Sequence, residues 1–587
     1  MAYADLERSF ARAKRPDVAL VTNHGYAGVE IPLGGAPDTG GQNMYVNSLA
    51  LALDRLGYRV TIFARGGFPY FESDRLREEP DYLSEHVRYV FVPGGGETFI
   101  RKEDIAVALD EEVEWLDGFI RAEAGERDVA PWQAYEFVNT HYWDAAVMGV
   151  RLVERWRNDL AVQALRPLLE GVVPDDALEQ LWAERHWRAV GEAPVYHLGL
   201  TLLECEGSPA TPLVQRTRAC ASRWVAARKM TAKHEKVILS TVGDALEAAA
   251  ETMAPALHSV VAADALGVAL LTLSPDRAES LKAEMDELDR HVWTPHSLGE
   301  LKDENYRHRS LEKRRDLKFC ERRDHERMVC DRSQAFAATS TEIAERLRTH
   351  YRVPAEQIFY FPPCIDKKLF RRYDADECES SWRYLAEVSG VDVDRLRAGK
   401  LLFETSRMDH TKRKDLLLEA FAQVAPEVAD AYLFIGGGPQ NEVFQELQAL
   451  LDDTPELAGR AFLTAFIPDE HIGPLFSMAD VYVSASEMEG FGMSVSQAAA
   501  AHTAVISSDL IPFSVQYAPE DAVVVPAGDV EDFAGAMRRL LQDDDERDWR
   551  AAGLAEKAEQ LDWERQAESF LSYLRRSGMR IAEGGDR

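Results

Sequence analysis

With 587 residues the chain exceeds the ~250–300 at which one hydrophobic core stops growing, so two or more domains are expected. Apolar residues make up 46 %, enough for real cores and far from a disordered composition. A formal net charge of -33 repels nucleic acid and anionic membranes over the average surface, leaving room only for a local basic cleft.

The opening MAYADLERSFARAKRPD has no long apolar core and does not read as a secretory signal. No uninterrupted apolar run approaches the ~18 residues of a membrane span. Six cysteines, at 205, 220, 320, 330, 364 and 378, are scattered without a CxxC pair, so neither a disulfide scaffold nor a zinc site is expected. The expected home is a reduced cytoplasm, and the acidic surface would suit a salty one, where screening weakens self-repulsion.

VALVTNHG (18–25), YRVTIFAR (58–65) and VRYVFVPGG (87–95) read as strands, with the helical LALALDRLG between the first two. KEDIAVALDEEVEWLDGFIRAEAG (102–125) spaces its apolar residues three and four apart and predicts an acidic amphipathic helix. EFVNTHYWDAAVMG brings another strand and helix. Such alternation predicts an open, mostly parallel sheet covered on both faces. From about 151 to 286 helical text dominates, broken by the Gly/Pro clusters GEAP and GSPATP. HVWTPHSLG (291–299) resumes the strand pattern.

FYFPPCIDKKLFRRYD (359–374), with two prolines and no clear period, reads as a linker between lobes. A second α/β set begins at GKLLFETSRMD (399–409). It runs through helix KDLLLEAFAQVAP, strands DAYLFIGGG and FLTAFIP, helix HIGPLFSMA and strand DVYVSAS. A helix from about 493, strands TAVISS and DAVVVP and helix VEDFAGAMRRLLQDD complete it. The expected fold class is α/β: two facing Rossmann-like, doubly wound domains, with ligand near the carboxyl ends of the strands in each.

Three segments carry candidate chemistry. In PDTGGQNMY (37–45), Gly40 and Gly41 after a strand would permit a tight turn, the following helix would add its positive end, and Gln42 could bind a hydroxyl-rich ligand. The Rossmann GxGxxG pattern is absent, which argues against NAD or FAD. ETSRMDHTKRKD sets Arg407 and Lys412 just beyond a strand, a pair suited to a diphosphate, while Gly437 in GGGP would let a nucleotide approach. In SASEMEGFGMSVSQAAAA (484–501), Glu489 precedes the turn Gly490-Phe491-Gly492, and Met493 and Ser494 open a helix. That helix start would neutralise phosphate while Glu489, or alternatively Glu487, orients sugar hydroxyls. Each segment also has a plainer reading: a packing turn, a solvated helix start, an ordinary strand–loop–helix.

Together these segments resemble the retaining GT-B glycosyltransferases of family four, in the branch of sucrose-phosphate synthase and sucrose synthase. PDTGGQNMYV is similar to that branch's acceptor-side glycine loop, SRMDHTK to its donor Arg/Lys pair, EGFGMSVSQ to its Glu-x7-Glu element and FPPCID to its PPGID-type segment. The resemblance covers roughly 15–150 and 288–575. It implies an acceptor-side lobe of 1–150 with 288–365, a mainly helical insertion at 151–287, a linker at 366–384, a donor lobe at 385–555, and a terminal helix and tail at 556–587 packing back toward the first lobe.

Further sites follow from the same resemblance. GETFIRKEDI places Lys102 toward an acceptor phosphate, and HYWDAA, with Ala146 in place of a glycine, gives His141 and Asp144 on the acceptor side. TPHSLGELK puts His296 at the reaction centre and Lys302 near the phosphate; ERRDHER contributes Arg322 and with it Arg323. Gly41, Gly437, Gly490, Phe491, Gly492, Met493, Ser494 and Gln497 would border the donor, and His296, Arg407, Lys412 and Glu489 would carry the chemistry. Two departures stand out. Gln497 replaces the second glutamate of Glu-x7-Glu, which binds the ribose in relatives, and Cys364 replaces the glycine of PPGID.

The activity so implied is transfer of a hexosyl unit from a nucleotide-sugar with retention, by a same-face route without a carboxylate nucleophile. No metal, Mg2+ included, and no further cofactor is expected. UDP-glucose is the first expectation for the donor, with ADP- or GDP-hexose as alternatives. Fructose 6-phosphate leads among acceptors, followed by glycerol, glycerate or their phosphates. Expected partners are a separate sugar-phosphate phosphatase and a second copy of the chain through the insertion, with no nucleic acid and no membrane insertion. Two rival readings are a catalytically silent GT-B regulator and a sugar-nucleotide epimerase.

Overall fold

The computed structural model describes residues 3–32, 36–169, 284, 287, 288, 290–305 and 315–585. It divides into two compact units. One comprises 1–116, 135–149 and 291–587, and the other 117–134 and 150–290. In the second unit Asp117 accepts hydrogen bonds from Trp156 Nε1 (3.0 Å) and Arg121 Nε (2.9 Å). The helix Tyr142–Leu169 leads into it, and the helical reading of 170–283 lies outside the described residues.

The first unit holds two sheets. The first is built from β1 (Asp17–Thr22), β2 (Arg59–Gly66), β3 (Asp81–Ser84), β4 (Val87–Pro93), β5 (Val138–His141), β6 (His291–Thr294), β7 (Ala335–Ala338) and β8 (Ile358–Tyr360). Their order is β3-β4-β2-β1-β5-β6-β7-β8, parallel throughout except for β3 against β4. The second comprises β9 (Lys400–Thr405), β10 (Ala431–Gly436), β11 (Ala461–Leu463), β12 (Val481–Ser484), β13 (Ala504–Ser508) and β14 (Val523–Val525). Its order is β11-β10-β9-β12-β13-β14, all parallel.

Apolar runs make these strands because both faces are covered. On β9 and β10, Leu402, Leu433 and Ile435 enter one core, while Leu401, Phe403, Tyr432 and Phe434 enter the other. The helix Trp563–Arg576 supplies Trp563, Phe570 and Leu574 to the core of the first sheet, where Trp563 meets Tyr45 edge-on at 4.9 Å. Cys364 lies in that same core, and burial raises its thiol pKa.

Several expectations need correction. The helix expected from 102 starts at Leu109, after a single short turn at Ile105–Val107. The stretch expected as a linker begins with an edge strand, β8, and Phe370 within it is buried in the second lobe. Strand β6 ends at Thr294 because Pro295 has no N–H to continue the ladder.

In each sheet the chain reverses its direction of winding at one place, where a crevice opens beyond the carboxyl ends of neighbouring strands. In the first sheet this lies between β1 and β5, and in the second between β9 and β12. The register brings Thr22 opposite His141 and His141 opposite Thr294, so the residues after three strands meet at one edge.

Candidate active site

Beyond β9 the chain carries Arg407 and Lys412; beyond β12 it carries Glu489. The structure joins the last two. Lys412 Nζ lies 2.5 Å from Glu489 Oε1 and is largely buried. Arg407 stays exposed at the same edge. Glu487, the alternative to Glu489, instead pairs with Arg413 at the surface. Gln497 is half-buried on the helix Met493–Ala500, and the hydroxyl of Ser494 on that helix bonds Tyr482.

Two glycines here are required by geometry. Gly437 has φ +94°, and a Cβ would come within 2.6 Å of the Ser406 carbonyl oxygen. Gly492 caps the helix Met493–Ala500 at φ +97°, where a Cβ would sit 2.4 Å from Ile511 Cγ2. Gly490 is exposed and open. Phe491, assigned to the donor, instead turns into the core against Phe513 and Tyr517, since an exposed ring would forfeit its burial.

The loop before the helix Gly41–Arg55 also differs from expectation. Gly40 is extended at φ 178° and Gly41 opens the helix, so neither takes the left-handed region; Gly25 and Asp38 do, at 76° and 55°. Asn43 Oδ1 accepts from Gly40 N (3.0 Å). What Gly41 provides is clearance, because a Cβ there would lie 3.3 Å from Met493 Sδ of the other lobe. Gln42 donates to Thr22 Oγ1 at 3.2 Å.

On the first sheet, His141 Nδ1 and His296 Nε2 lie 3.1 Å apart, and His141 Nε2 is buried with no partner among the described residues. Burial lowers the His141 pKa to about 3, and burial, His141 and His24 hold His296 well below the usual range. Both rings are therefore neutral, and one donates to the other. Asp144 is fully buried; it accepts from Ala145 N (2.9 Å) and lies 3.0 Å from His24 Nδ1, so among the described residues its link to the site runs through His24.

Lys302 and Arg322 meet at Tyr142. Arg322 Nη1 donates to the Tyr142 hydroxyl at 2.5 Å, and Lys302 Nζ donates to it at 3.1 Å. Glu326 holds the other edge of the guanidinium at 2.7 Å, and Ser297 O accepts from it at 2.6 Å. Lys102 forms an ion pair with Asp38, whose Oδ2 also accepts from Lys102 N at 2.9 Å. Lys102, Tyr142, Lys302 and Arg322 line one pocket with Trp143 and Phe319. Arg323 instead faces Asp303 at 3.5 Å.

Sequence reasoning missed Tyr142, His24 and Asp38. All three follow β-strands or adjoin segments already singled out, and their polar groups at strand ends were the available signal.

The neutral histidines predict a pH effect on stability. His291 is also buried and lowered to about 3, between Thr140 Oγ1 and Ser333 Oγ. The unfolded chain protonates each near pH ~6.5, while the folded one resists. Their stabilisation is whole above that pH and is lost as pH falls toward about 3, by at most roughly 3 kcal/mol per pH unit for His141 and His291 together. Urea midpoints at about pH 7 and 5 should differ accordingly; equal midpoints would exclude this strain.

Two doubly wound sheets, each with a polar cluster at its point of reversal, define the GT-B glycosyltransferase fold. Sucrose-phosphate synthase from Thermosynechococcus elongatus shares it, with a TM-score of 0.58, 19 % identity and coverage of 96 % of this chain and 99 % of that one. A family model described as "Glycosyl transferases group 1" matches residues 399–543, and one described as "Glycosyltransferase Family 4" matches 280–369. Residues of both sheets thus match glycosyltransferase family models, on a fold shared with GT-B glycosyltransferases. It is 40 % identical over 141 residues to mannosylfructose-phosphate synthase of Agrobacterium fabrum, covering 24 % of this chain and 27 % of that protein. Against D-inositol 3-phosphate glycosyltransferase of a Nocardioides species it is 26 % identical over 271 residues, covering 44 % and 57 %. The matches thus span about a quarter and somewhat over half the length of these curated relatives. Among the described residues no helix is long and apolar enough to cross a membrane.

Proposed function

We propose that the protein transfers a hexosyl unit from a nucleotide-sugar to a small phosphorylated acceptor, with retention at the anomeric carbon, in the manner of a sucrose-phosphate synthase. The observation that carries this is the convergence of Lys302 and Arg322 on Tyr142, in a pocket shared with Lys102 and close to the neutral histidine pair. Cations held together in a partly closed pocket repel one another, and a phosphate relieves that repulsion through charge-assisted hydrogen bonds. The names of the three relatives all include a phosphorylated sugar or polyol, which supports the reading.

In this mechanism Arg407, Lys412 and the helix start at Gly492 stabilise the charge growing on the departing diphosphate. Glu489 fixes Lys412 and orients the transferred sugar. The acceptor hydroxyl attacks from the face the diphosphate leaves, which takes up its proton. His296, uncharged, donates or accepts a hydrogen bond to the reacting sugar without competing for that proton. Gln497 offers the ribose a neutral hydrogen bond where relatives offer a carboxylate.

The test is a matrix of UDP-, ADP- and GDP-hexoses against phosphorylated and free acceptors, read by mass spectrometry. Transfer to fructose 6-phosphate from one donor is the expected result. Lys302→Met should weaken that acceptor tenfold or more, about 1.4 kcal/mol, while leaving transfer to an unphosphorylated polyol nearly unchanged. Preference of the wild type for free glycerol or another polyol would overturn the phosphate assignment.

A further inference from the structure

Tyr142 is held in an unusual way. Its backbone sits at φ 76°, a region that bulky side chains avoid, and Trp293 Nε1 anchors its carbonyl oxygen at 3.0 Å. The ring is buried and packs on His24 with centroids 4.3 Å apart. Arg322 and Lys302 also lie over its face, 4.4 and 5.5 Å from the centroid. The hydroxyl oxygen accepts two bonds from cations, and among the described residues no acceptor takes its own proton. A phenol in that setting serves better as an anion than as a donor.

We propose that Tyr142 ionises when the pocket is empty, standing in for the anion of the acceptor, and takes up a proton from solvent when a phosphate group arrives. Binding of the phosphorylated acceptor is thereby coupled to proton uptake. This inference rests on the acceptor-phosphate reading above. The step is proton transfer alone: phenolate plus one proton gives phenol, with no other bond made or broken.

The surroundings carry the same sign. Burial alone would raise the phenol, but Arg322, Lys302, His24 and Lys102 together bring it down to about 7. These groups face it from four elements: Lys302 from the helix Gly299–Asn305, Arg322 from the helix Phe319–Arg332, His24 from the end of β1, and Lys102 from the loop before Ile105. Three of the four have acidic partners of their own, Glu326 on Arg322, Asp144 on His24, and Asp38 and Glu103 on Lys102. A dianion entering beside Lys302 and Arg322 competes with the phenolate for both and repels it, which raises the phenol again. The bound state then holds one more proton than the free state. Affinity is accordingly full below about pH 7 and falls above it, by up to roughly tenfold per pH unit.

Sulfate is the probe, because it does not titrate near neutrality, with fructose 6-phosphate as the second ligand. Calorimetry at about pH 8 in two buffers of different ionisation enthalpy counts the protons taken up. Near-ultraviolet absorbance follows tyrosinate. The wild type should take up close to one proton per sulfate and lose one tyrosinate as it binds. Tyr142→Phe, checked for folding by circular dichroism, should bind sulfate with no proton uptake and a flat pH profile. Sulfate binding to wild type without proton uptake, or with tyrosinate unchanged, would overturn the coupling while leaving the phosphate site standing. If neither ligand binds the wild type, the acceptor-phosphate reading itself falls, and the coupling with it.

Discussion

Lys412→Met is expected to cost roughly 2–5 kcal/mol of transition-state stabilisation, at least about thirtyfold in kcat/KM, with every acceptor. The side chain is 9 % exposed and its ammonium lies 2.5 Å from Glu489. Its removal does two kinds of damage: the positive charge that would meet the leaving diphosphate is gone, and the carboxylate of Glu489 is left facing the same phosphate. A Lys412→Met, Glu489→Gln double variant should recover stability but not activity, since only the repulsion is relieved. Arg407 offers the contrast. It is exposed in this structure, so Arg407→Ala should lower kcat/KM while leaving the melting temperature unchanged. Steady-state kinetics with a fixed acceptor decide the matter, and a Lys412 variant within a factor of two of wild type would remove it from the site.

Lys414→Met should destabilise the protein by about 3–5 kcal/mol, the usual loss when one member of a buried ion pair is removed. Lys414 and Glu404 are 2 % and 1 % exposed, and Nζ lies 2.7 Å from Glu404 Oε2. The other two ammonium protons go to Ser406 O at 2.9 Å and Gly436 O at 2.6 Å, so no donor is left over. Burial lowers the lysine's pKa, and Glu404 opposes that shift. Ser406 immediately precedes Arg407, and Gly436 precedes Gly437, so this one side chain ties together the two strand ends to which the donor residues are assigned above. The donor KM should therefore rise along with the loss of stability. A Glu404→Leu, Lys414→Met pair should restore much of the stability, because two charges leave the core together. Urea unfolding checks both variants; a single variant within about 1 kcal/mol of wild type would show the pair to be dispensable.

The second sheet was legible from the residues because each strand is a continuous apolar run and each helix has a clear period. LLFE, YLFI and VYVS could hardly be anything but buried strands. The first sheet hid three of its members. β3 and β8 are short edge strands, and β7 is the small-residue run AFAA, whose burial comes wholly from its neighbours. The start of the helix at Leu109 was obscured because the apolar spacing runs on through a preceding turn.

The residues singled out beyond the strand ends lie at the crevice edges of the two sheets, but their pairings did not follow from residue type. Tyr142 bonds Arg322 180 positions away, and His24 bonds Asp144 120 positions away. Such contacts are set by strand order, which no local pattern encodes. The same holds for Asp144 and Phe491, for which the family resemblance implied ligand contact but which are buried here.

The chain passes from the first sheet into the second near Ile365 and comes back beside that point, where Ile365 N donates to Leu561 O at 2.9 Å. Trp563, Phe570 and Leu574, with their neighbours up to Ile581, then fill a core whose other members, from Val18 to Cys364, all precede Trp563 by about two hundred residues or more. At a synthesis rate of about 5–20 residues per second, that core waits roughly ten to forty seconds for its last wall. Over that interval the second sheet can complete itself from contiguous sequence, while the first presents a bare apolar face to chaperones and to other nascent chains. Of the two sheets, the one earlier in the sequence is thus the one that finishes folding last.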